Sequence, residues 1–291
     1  MEVFSNSFMS IPDATIVKAI NTDGVFCAPA ALTENFLNSI REDVARTDHG
    51  LNRNWVSPVY TRDQLFLCHM FAVSRSFVKF STHPRFFELF DQILGSDYRL
   101  KAHRYYETYS GHHMQWHTDN KRDNEFVQVS GVIVIAYISD VEDGEFQFVR
   151  GSQNWSGEKG YSDYTDQFVE QNCHNDILSF KGPKGTLIIY DTYGIHRAKP
   201  VKKRNFVRKS IHFDVNGGME ASEPLLINPE YFDNLDERTK RYLGFGQSSG
   251  LKLYPQTDLS TMPSTKHREI LWYFVDRLGK KIARAPAKLF T

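Results

Sequence analysis

A histidine and an aspartate lie two positions apart in the segment QWHTDNKRDN, at His117 and Asp119. On an extended backbone, residues i and i+2 project from the same face, so both side chains can reach one ion. A third ligand must come from a distant segment, and His196 follows the apolar stretch TLIIY and a bend that contains glycine. Two histidines and one carboxylate on one face of an ion leave its other positions open, which is typical of non-haem Fe(II) oxygenases.

A basic and a hydroxyl side chain follow in the next apolar segment, FVRKSIHF, where Arg208 and Ser210 are again two positions apart. A guanidinium binds a carboxylate through two parallel hydrogen bonds. Arg208 is therefore suited to the distal carboxylate of 2-oxoglutarate, whose other end would chelate the metal. The supporting role of Ser210 is inferred from its spacing alone.

Two further groups of polar residues each allow two interpretations. His112 and His113 either contact a substrate or a lid, or belong to a polar loop before a strand, and the loop is favoured. The basic segment 197–209 either attracts an anionic small-molecule substrate or forms a solvated turn from which only Arg208 points inward.

The composition excludes several classes of protein. The chain has 291 residues, 35 Lys plus Arg and 35 Asp plus Glu, so its net charge gives no reason to expect nucleic acid or an anionic membrane as partner. Its three cysteines are far apart, which favours a reducing compartment. The first residues do not resemble a signal peptide, and the longest apolar run, 131–138, is too short to span a bilayer. These features predict a soluble, cytoplasmic protein.

The length favours one elaborated domain, 1–291, with two domains as the alternative, and the chain divides into three regions. In the N-terminal support, 1–98, apolar residues at helical spacing predict helices over 33–46, with Thr33 as N-cap, and over 83–95. In the second helix Pro84 suits the first turn, and Gly95 suits a left-handed C-terminal residue.

The middle region, 99–216, is rich in aromatic and β-branched residues in short segments, which predicts strands. Turn residues such as Asp143-Gly144 separate these segments. Strands without helices between them indicate a mainly β fold, a sandwich or barrel of the jelly-roll kind, with flanking helices. The strand segments are 100–110, 126–141, 144–152, 185–196 and 205–215. The last region, 217–291, predicts a mostly helical extension packed on this core.

Four segments together resemble the phytanoyl-CoA dioxygenase-like branch of the Fe(II)/2-oxoglutarate oxygenases. They are WHTD (116–119), DGEFQFVRGSQN (143–154), GTLIIYDTYGIHRA (185–198) and RKSIHF (208–213). The opening segment 21–40 and the segment 236–246 also resemble that family, so the resemblance covers most of the chain. One departure concerns Gln153, because the family often has histidine there, and this difference bears on the substrate class.

The resemblance implies a double-stranded β-helix, a cupin-like jelly roll. It also implies iron held by His117, Asp119 and His196, and 2-oxoglutarate anchored by Arg208. The expected reaction consumes dioxygen and 2-oxoglutarate, releases succinate and carbon dioxide, and most simply hydroxylates a C–H bond of a small organic molecule. Halogenating relatives replace the carboxylate ligand, so the presence of Asp119 disfavours halogenation.

Two alternatives remain open on the sequence. One is a cupin-like iron enzyme that does not use 2-oxoglutarate, which Arg208 at its expected place disfavours. The other is a non-catalytic jelly-roll binding protein, in which the three metal-ligand candidates would lie apart in space. Hydroxylation, desaturation and cyclisation are not distinguished, and neither the substrate nor the oligomeric state follows from the sequence.

Overall fold

The fold is built from antiparallel strands, and most of the described helices lie on one side of them. The computed structural model describes residues 2–49, 58–60, 63–112, 114–120, 131–155, 164–217, 222–233 and 235–251, together with positions 274, 275 and 278. Within these residues the strands are β1 (Val25–Ala28), β2 (Pro58–Tyr60), β3 (Gln64–Leu67), β4 (Tyr98–Tyr109), β5 (Gly131–Tyr137), β6 (Val141–Val149), β7 (Ile177–Gly182), β8 (Leu187–Asp191), β9 (His196–Ala198) and β10 (Val207–Gly217).

Five of the seven described helices come before the long strand β4, one lies between β6 and β7, and one follows β10. In the described part of the chain they are α1 (Asn6–Met9), α2 (Asp13–Asp23), α3 (Glu34–His49), α4 (Arg75–Ser81), α5 (Pro84–Leu94), α6 (Asp166–Asn172) and α7 (Glu237–Tyr242). None of those helices combines the length and the apolar character needed to cross a bilayer.

Two antiparallel sheets form the jelly roll. The larger sheet has the order β1-β8-β5-β10-β4-β3-β2, and the smaller sheet has the order β7-β6-β9. Backbone bridges from Trp116 to Tyr164 and from His117 to His196 extend the smaller sheet beyond β9. The predicted mainly β jelly-roll fold with flanking helices is confirmed.

The two faces of the larger sheet are buried against different layers. One face packs on the helices, where Phe213 of β10 meets Phe80 and Phe86 edge to face at ring-centroid distances of 5.5 and 5.2 Å. The other face packs on the smaller sheet through side chains such as Ile133, Ile188 and Phe148. A strand covered on both faces needs apolar residues at every position, which explains the uninterrupted sequence GVIVIAY of β5.

The helix predictions of the N-terminal region are confirmed at their N-termini. The Thr33 hydroxyl accepts a hydrogen bond from the Phe36 amide at 3.2 Å, so it caps α3, and Pro84 opens α5. Gly95 differs from its prediction: its φ of 81° is positive, but its ψ of −164° is extended rather than left-handed helical. Only glycine adopts that combination easily. Glycine is therefore still the residue type that this position after α5 requires, although it does not form a left-handed helical cap.

The interpretation of Asp143-Gly144 as a turn between strands is wrong. Both residues lie within β6, where the pairing with β7 is irregular between Val141 and Phe146. Gly144 has a φ of 66°, so it allows a bulge inside one strand. A helix, α6, also lies between β6 and β7, although the sequence predicted strands without intervening helices.

The C-terminal region contains the short helix α7 and a turn at Pro229–Tyr231. Most of the segment 265–285, which belongs to the predicted helical extension, lies outside the described residues. Phe274, Val275 and Leu278 are helical and at least half exposed, so these three side chains do not lie in a core.

Candidate metal and 2-oxoglutarate site

Backbone pairing brings the three predicted metal ligands together. His117 and His196 exchange two hydrogen bonds, with N···O distances of 3.0 and 2.9 Å, across the edge of the smaller sheet. The Asp119 amide donates to the Thr192 carbonyl at 3.0 Å, which ties the segment after His117 to the turn between β8 and β9. The spatial separation required for a non-catalytic protein is therefore not observed.

The two histidine rings are oriented in the same way. Nδ1 of His117 lies 2.8 Å from the Gln115 carbonyl oxygen, and Nδ1 of His196 lies 3.0 Å from the Gly194 carbonyl oxygen. A carbonyl only accepts, so each Nδ1 carries the proton and each Nε2 keeps its lone pair. Both rings are thereby fixed in the tautomer that can bind a metal through Nε2.

The ligand atoms of His117, Asp119 and His196 lie within 4.8 Å of one another, so they could hold a metal ion. Nε2 of His196 is 3.2 Å from Oδ2 of Asp119, and Nε2 of His117 is 4.0 Å from Oδ1. Burial lowers the pKa of His196 to about 4, with Asp119 acting in the opposite direction. His196 is therefore neutral at pH 7, which is the form that binds metals.

Tyr190 of β8 adjoins this group and was not predicted as a site residue. Its hydroxyl donates to Oδ2 of Asp119 at 3.0 Å and lies 3.3 Å from Nε2 of His196. Burial, followed by the charge of Asp119, raises the pKa of Tyr190 well above its usual value. The phenol therefore stays protonated and holds the carboxylate in place. In the sequence, the alternation of Tyr190 with Ile188 along β8 indicates that its side chain points inward, but not that it contacts a metal ligand.

Arg208 reaches the same cavity from β10 and is 5% exposed. Its guanidinium donates through Nη1 to the Gly144 carbonyl and through Nη2 to the Thr108 hydroxyl, the latter at 3.2 Å. Among the described residues, Nε has no hydrogen-bond partner. Burial lowers the pKa of Arg208, but arginine remains charged at neutral pH. A buried cation with an unused donor fits the distal carboxylate of 2-oxoglutarate.

Ser210 follows Arg208 on the same face of β10, as predicted. Its hydroxyl lies 3.1 Å from Nε2 of His212, and the residue is fully buried. His212 lines the cavity, whereas Ser210 lies behind it. Burial, followed by the charge of Arg208, lowers the pKa of His212 to about 3, so its ring is neutral at pH 7.

The metal-ligand candidates and Arg208 share one cavity of about 370 Å³. Apolar side chains, including Ile133, Ile135 and Phe146, form part of its wall, and Tyr106 lines it from β4. Volumes of this order suit small molecules. The cavity is large enough for 2-oxoglutarate and part of a second ligand.

The remaining candidates lie outside this centre. His112 is buried in a loop beside Asp63, with 3.4 Å between Nδ1 and Oδ2, and His113 lies outside the described residues. Gln153 is also buried; its amide donates to the Ile20, Asn21 and Thr22 carbonyls at 3.3–3.5 Å and so caps the end of α2. Gln153 does not belong to the cavity wall.

The fold is similar to the folds of several solved proteins. HygX from Streptomyces hygroscopicus, solved with nickel, 2-oxoglutarate and hygromycin B, matches with a TM-score of 0.56 at 14% identity, over 72% of this chain and 88% of its own. EctD from S. alaskensis, solved with 2-oxoglutarate and 5-hydroxyectoine, matches with a TM-score of 0.56 at 15% identity, over 70% of this chain and 76% of its own. SnoK, a non-haem α-ketoglutarate-dependent carbocyclase from nogalamycin biosynthesis, matches with a TM-score of 0.57 at 12% identity, over 77% of this chain and 90% of its own.

At these identities the solved structures establish the fold alone. No curated protein matches the sequence significantly. The family model described as phytanoyl-CoA dioxygenase matches residues 20–209, well over half of the chain. That range contains all three metal-ligand candidates and Arg208. The chain belongs to the phytanoyl-CoA dioxygenase family.

Proposed function

We propose that this protein is an Fe(II)/2-oxoglutarate-dependent dioxygenase that hydroxylates a C–H bond of a small organic substrate. One oxygen atom of O₂ enters the substrate, the other enters succinate, and carbon dioxide is released. The observation that carries the proposal is that one cavity contains both the His117, Asp119 and His196 group and the buried Arg208.

Each residue has a defined task in this proposal. His117, Asp119 and His196 hold the iron, which when bound supplies oxygen activation coupled to decarboxylation of 2-oxoglutarate. Arg208 holds the distal carboxylate through the donor that the described residues leave unused. The apolar wall excludes water from the reacting groups.

Ser210 contributes indirectly. The Ser210 hydroxyl forms a hydrogen bond with Nε2 of His212 at 3.1 Å. Ser210 thereby fixes the His212 ring, which lines the cavity beside the proposed 2-oxoglutarate position. Replacing Ser210 with alanine is expected to raise the 2-oxoglutarate concentration needed for half-saturation by a few-fold, because one hydrogen bond contributes about 1 kcal/mol.

An anaerobic spectral titration tests the proposal. Fe(II) and then 2-oxoglutarate are added to the apo-protein, and a weak visible charge-transfer band is expected when the cosubstrate chelates the metal. His196→Ala is expected to abolish the band, and Arg208→Ala to require much more 2-oxoglutarate. Arg204→Ala is the matched control, because Arg204 belongs to the same basic segment but is exposed, and it should titrate like the wild type.

The outcomes separate the candidate functions. Iron binding without a band identifies an iron enzyme that does not use 2-oxoglutarate, and folded protein that binds no iron identifies a non-catalytic jelly roll. Mass spectrometry of the product defines the reaction, since hydroxylation adds one oxygen atom whereas ring closure or desaturation removes two hydrogen atoms. This distinction is needed because a carbocyclase is among the proteins of the same fold.

A small organic substrate agrees with the cavity size, and HygX and EctD were solved with such compounds. The basic segment 197–209, by contrast, gives little support to an anionic substrate. Four of its seven basic side chains pair with carboxylates at 2.6–2.9 Å: Arg197 with Asp166, Lys199 with Glu145, Lys203 with Glu142 and Lys209 with Glu107. The anionic substrate and the cytoplasmic location stay predictions from the sequence.

A further inference from the structure

The cavity-facing side of β10 carries a row of polar residues, one every second position. Arg208 and His212 line the cavity in the part assigned to 2-oxoglutarate, and Asp214 continues the row beyond them. Asp214 is six residues from Arg208, so their Cα atoms are about 20 Å apart along the strand. This carboxylate therefore lies at a different end of the cavity from the proposed cosubstrate anchor.

The strand register places Asp214 level with the candidate metal ligands. Asp214 is paired with Ile133 of β5, and Ile133 is paired with Tyr190 of β8. Tyr190 in turn donates to Asp119. Two strand spacings separate the Cα atoms of Asp214 and Tyr190, which is about 10 Å. A molecule between Asp214 and the metal ligands would have its carbon atoms close to the iron.

The Asp214 carboxylate is only partly paired. Its Oδ2 is 3.4 Å from Nζ of Lys101, and its side chain is 15% exposed. Its Oδ1 is buried and has no hydrogen-bond partner among the described residues. Burial, with Lys101 opposing and Asp119 adding, raises the pKa of Asp214 to about 7. An unsatisfied buried carboxylate oxygen is destabilising, and a donor from a ligand would remove that cost.

A further charged residue of the cavity wall, Arg104 of β4, is already engaged. Arg104 donates through Nη2 to Glu223 and through Nη1 to the His103 carbonyl, the latter at 2.7 Å. Iron already has three candidate ligands, and 2-oxoglutarate, whose oxygens only accept hydrogen bonds, has no donor for Oδ1 of Asp214. The unused acceptor therefore remains for the substrate.

Building on the proposed function, we propose that Asp214 binds the substrate through an N–H or O–H donor, so that the substrate class is a small amine or alcohol rather than a carboxylic acid. A protonated amine forms the stronger, charge-assisted bond to a carboxylate. An ionised carboxylate has no N–H or O–H donor, so a carboxylate substrate would leave Oδ1 of Asp214 unpaired, and above pH 7 it would also face a like charge.

Matched ligand series test this assignment. The protein is loaded anaerobically with Fe(II) and 2-oxoglutarate, and binding is measured by ligand-observed NMR and calorimetry. The probes are cyclohexyl-, benzyl- and n-hexyl- amines, the corresponding alcohols and the corresponding carboxylates. The wild type is expected to bind amines or alcohols at least tenfold more tightly than the carboxylates of the same carbon skeleton.

Two variants test Asp214 as the acceptor of the substrate's hydrogen bond, and a third is the control. Asp214→Asn keeps an acceptor oxygen but removes the charge, so it is expected to weaken amine binding about tenfold and alcohol binding little. Asp214→Leu removes the acceptor and is expected to weaken both. Asp176→Asn is the control, because Asp176 is a half-exposed aspartate that pairs with Arg150 in the turns beside the smaller sheet, outside the cavity, and it should leave the preference unchanged.

The same samples separate this inference from the proposed function. If the charge-transfer band with Fe(II) and 2-oxoglutarate is present, but the bound probes show no preference for amines or alcohols or none binds, the role of Asp214 is refuted alone. A preference that survives in Asp214→Leu also refutes it. If the band is absent, the proposed function itself fails.

Discussion

The Tyr190 hydroxyl donates a hydrogen bond to Oδ2 of Asp119 at 3.0 Å. The same hydroxyl lies 3.3 Å from Nε2 of His196, so one phenol contacts two of the three candidate metal ligands. Its ring packs on Phe146 with a centroid distance of 4.7 Å, which prevents the hydroxyl from moving away. Tyr190 therefore holds the carboxylate ready before any ion binds.

Replacing Tyr190 with phenylalanine removes this hydrogen bond and preserves the ring. We expect metal affinity to fall by about 10- to 100-fold, as is usual when a partner of a ligand is removed. Anaerobic titration with Fe(II) measures the change. Thermal unfolding of the apo-protein is the control, because a loss of fold would lower the affinity for another reason. Unchanged metal affinity in folded protein would show that Asp119 is positioned without Tyr190.

Gly194 makes room for the turn that carries His196. A side-chain carbon at Gly194 would overlap the ring of the buried Phe148, and the Gly194 carbonyl accepts from Nδ1 of His196. Gly194→Ala is expected to destabilise the protein by about 1–3 kcal/mol through overpacking and to weaken metal binding by displacing His196. Urea unfolding and Fe(II) titration measure the two effects.

Phe148→Leu in the Gly194→Ala background tests the cause. If overlap with the ring is responsible, the double variant regains metal affinity, and the double-mutant cycle gives a favourable coupling. Additive effects would place the strain in the turn backbone itself.

Gln153 is expected to stabilise the fold without acting on ligands. Gln153→Leu leaves the buried carbonyls at the end of α2 without their donor, at a cost of about 1–3 kcal/mol. Gln153→His, which introduces the residue common in the family, retains an N–H donor and should cost less. Chemical unfolding measures both variants. The 2-oxoglutarate titration should be unaffected, and a change in it would place Gln153 at the site.

His83 makes stability depend on pH. Its Nδ1 accepts a hydrogen bond from the Arg85 amide at 3.2 Å and caps α5, while burial, and then the charge of Arg85, lowers its pKa from 6.5 to about 4. Between these values the unfolded chain binds the proton and the folded protein does not. The stabilisation is therefore complete above pH 6.5 and is lost as the pH falls towards 4.

The lowered pKa of His83 corresponds to a loss of at most about 3 kcal/mol in the free energy of unfolding at low pH. Because the ring is partly exposed, solvent screening reduces this loss to about 1 kcal/mol. His83→Asn keeps an N-cap acceptor that does not titrate. Urea unfolding from pH 7 to pH 4 should show a shallower loss of stability in this variant than in the wild type. Parallel curves would mean that the His83 ring does not contribute. The other buried histidines retain their own pH dependence in both proteins.

The sequence predicted those parts of the fold in which each residue type has one local role. Apolar and aromatic alternation located β4 and β10, and Thr33 marked the start of α3. Gly144 was misplaced because glycine with positive φ occurs both in turns and in bulges. Only the pairing partners β7 and β9 decide between the two, and they are distant in sequence.

The same limit applies to the site. His117 and Asp119 could be found because their types and their spacing of two both point to a metal. Neither Tyr190 nor Asp214 belongs to a recognisable motif, and their importance comes from which strands lie beside them. Extending the alternation from Arg208 along β10 would have placed Asp214 on the inward face, but not its unpaired oxygen.

The pairing of His117 with His196 also gives a bound ion a mechanical role. The chain between the two ligands, 118–195, contains β5 to β8, and two backbone hydrogen bonds join its ends at this point. An ion bound by both rings would cross-link those ends, as a disulfide does, and restrict the unfolded chain. Iron supply would then govern how long the protein survives proteolysis as well as whether it is active.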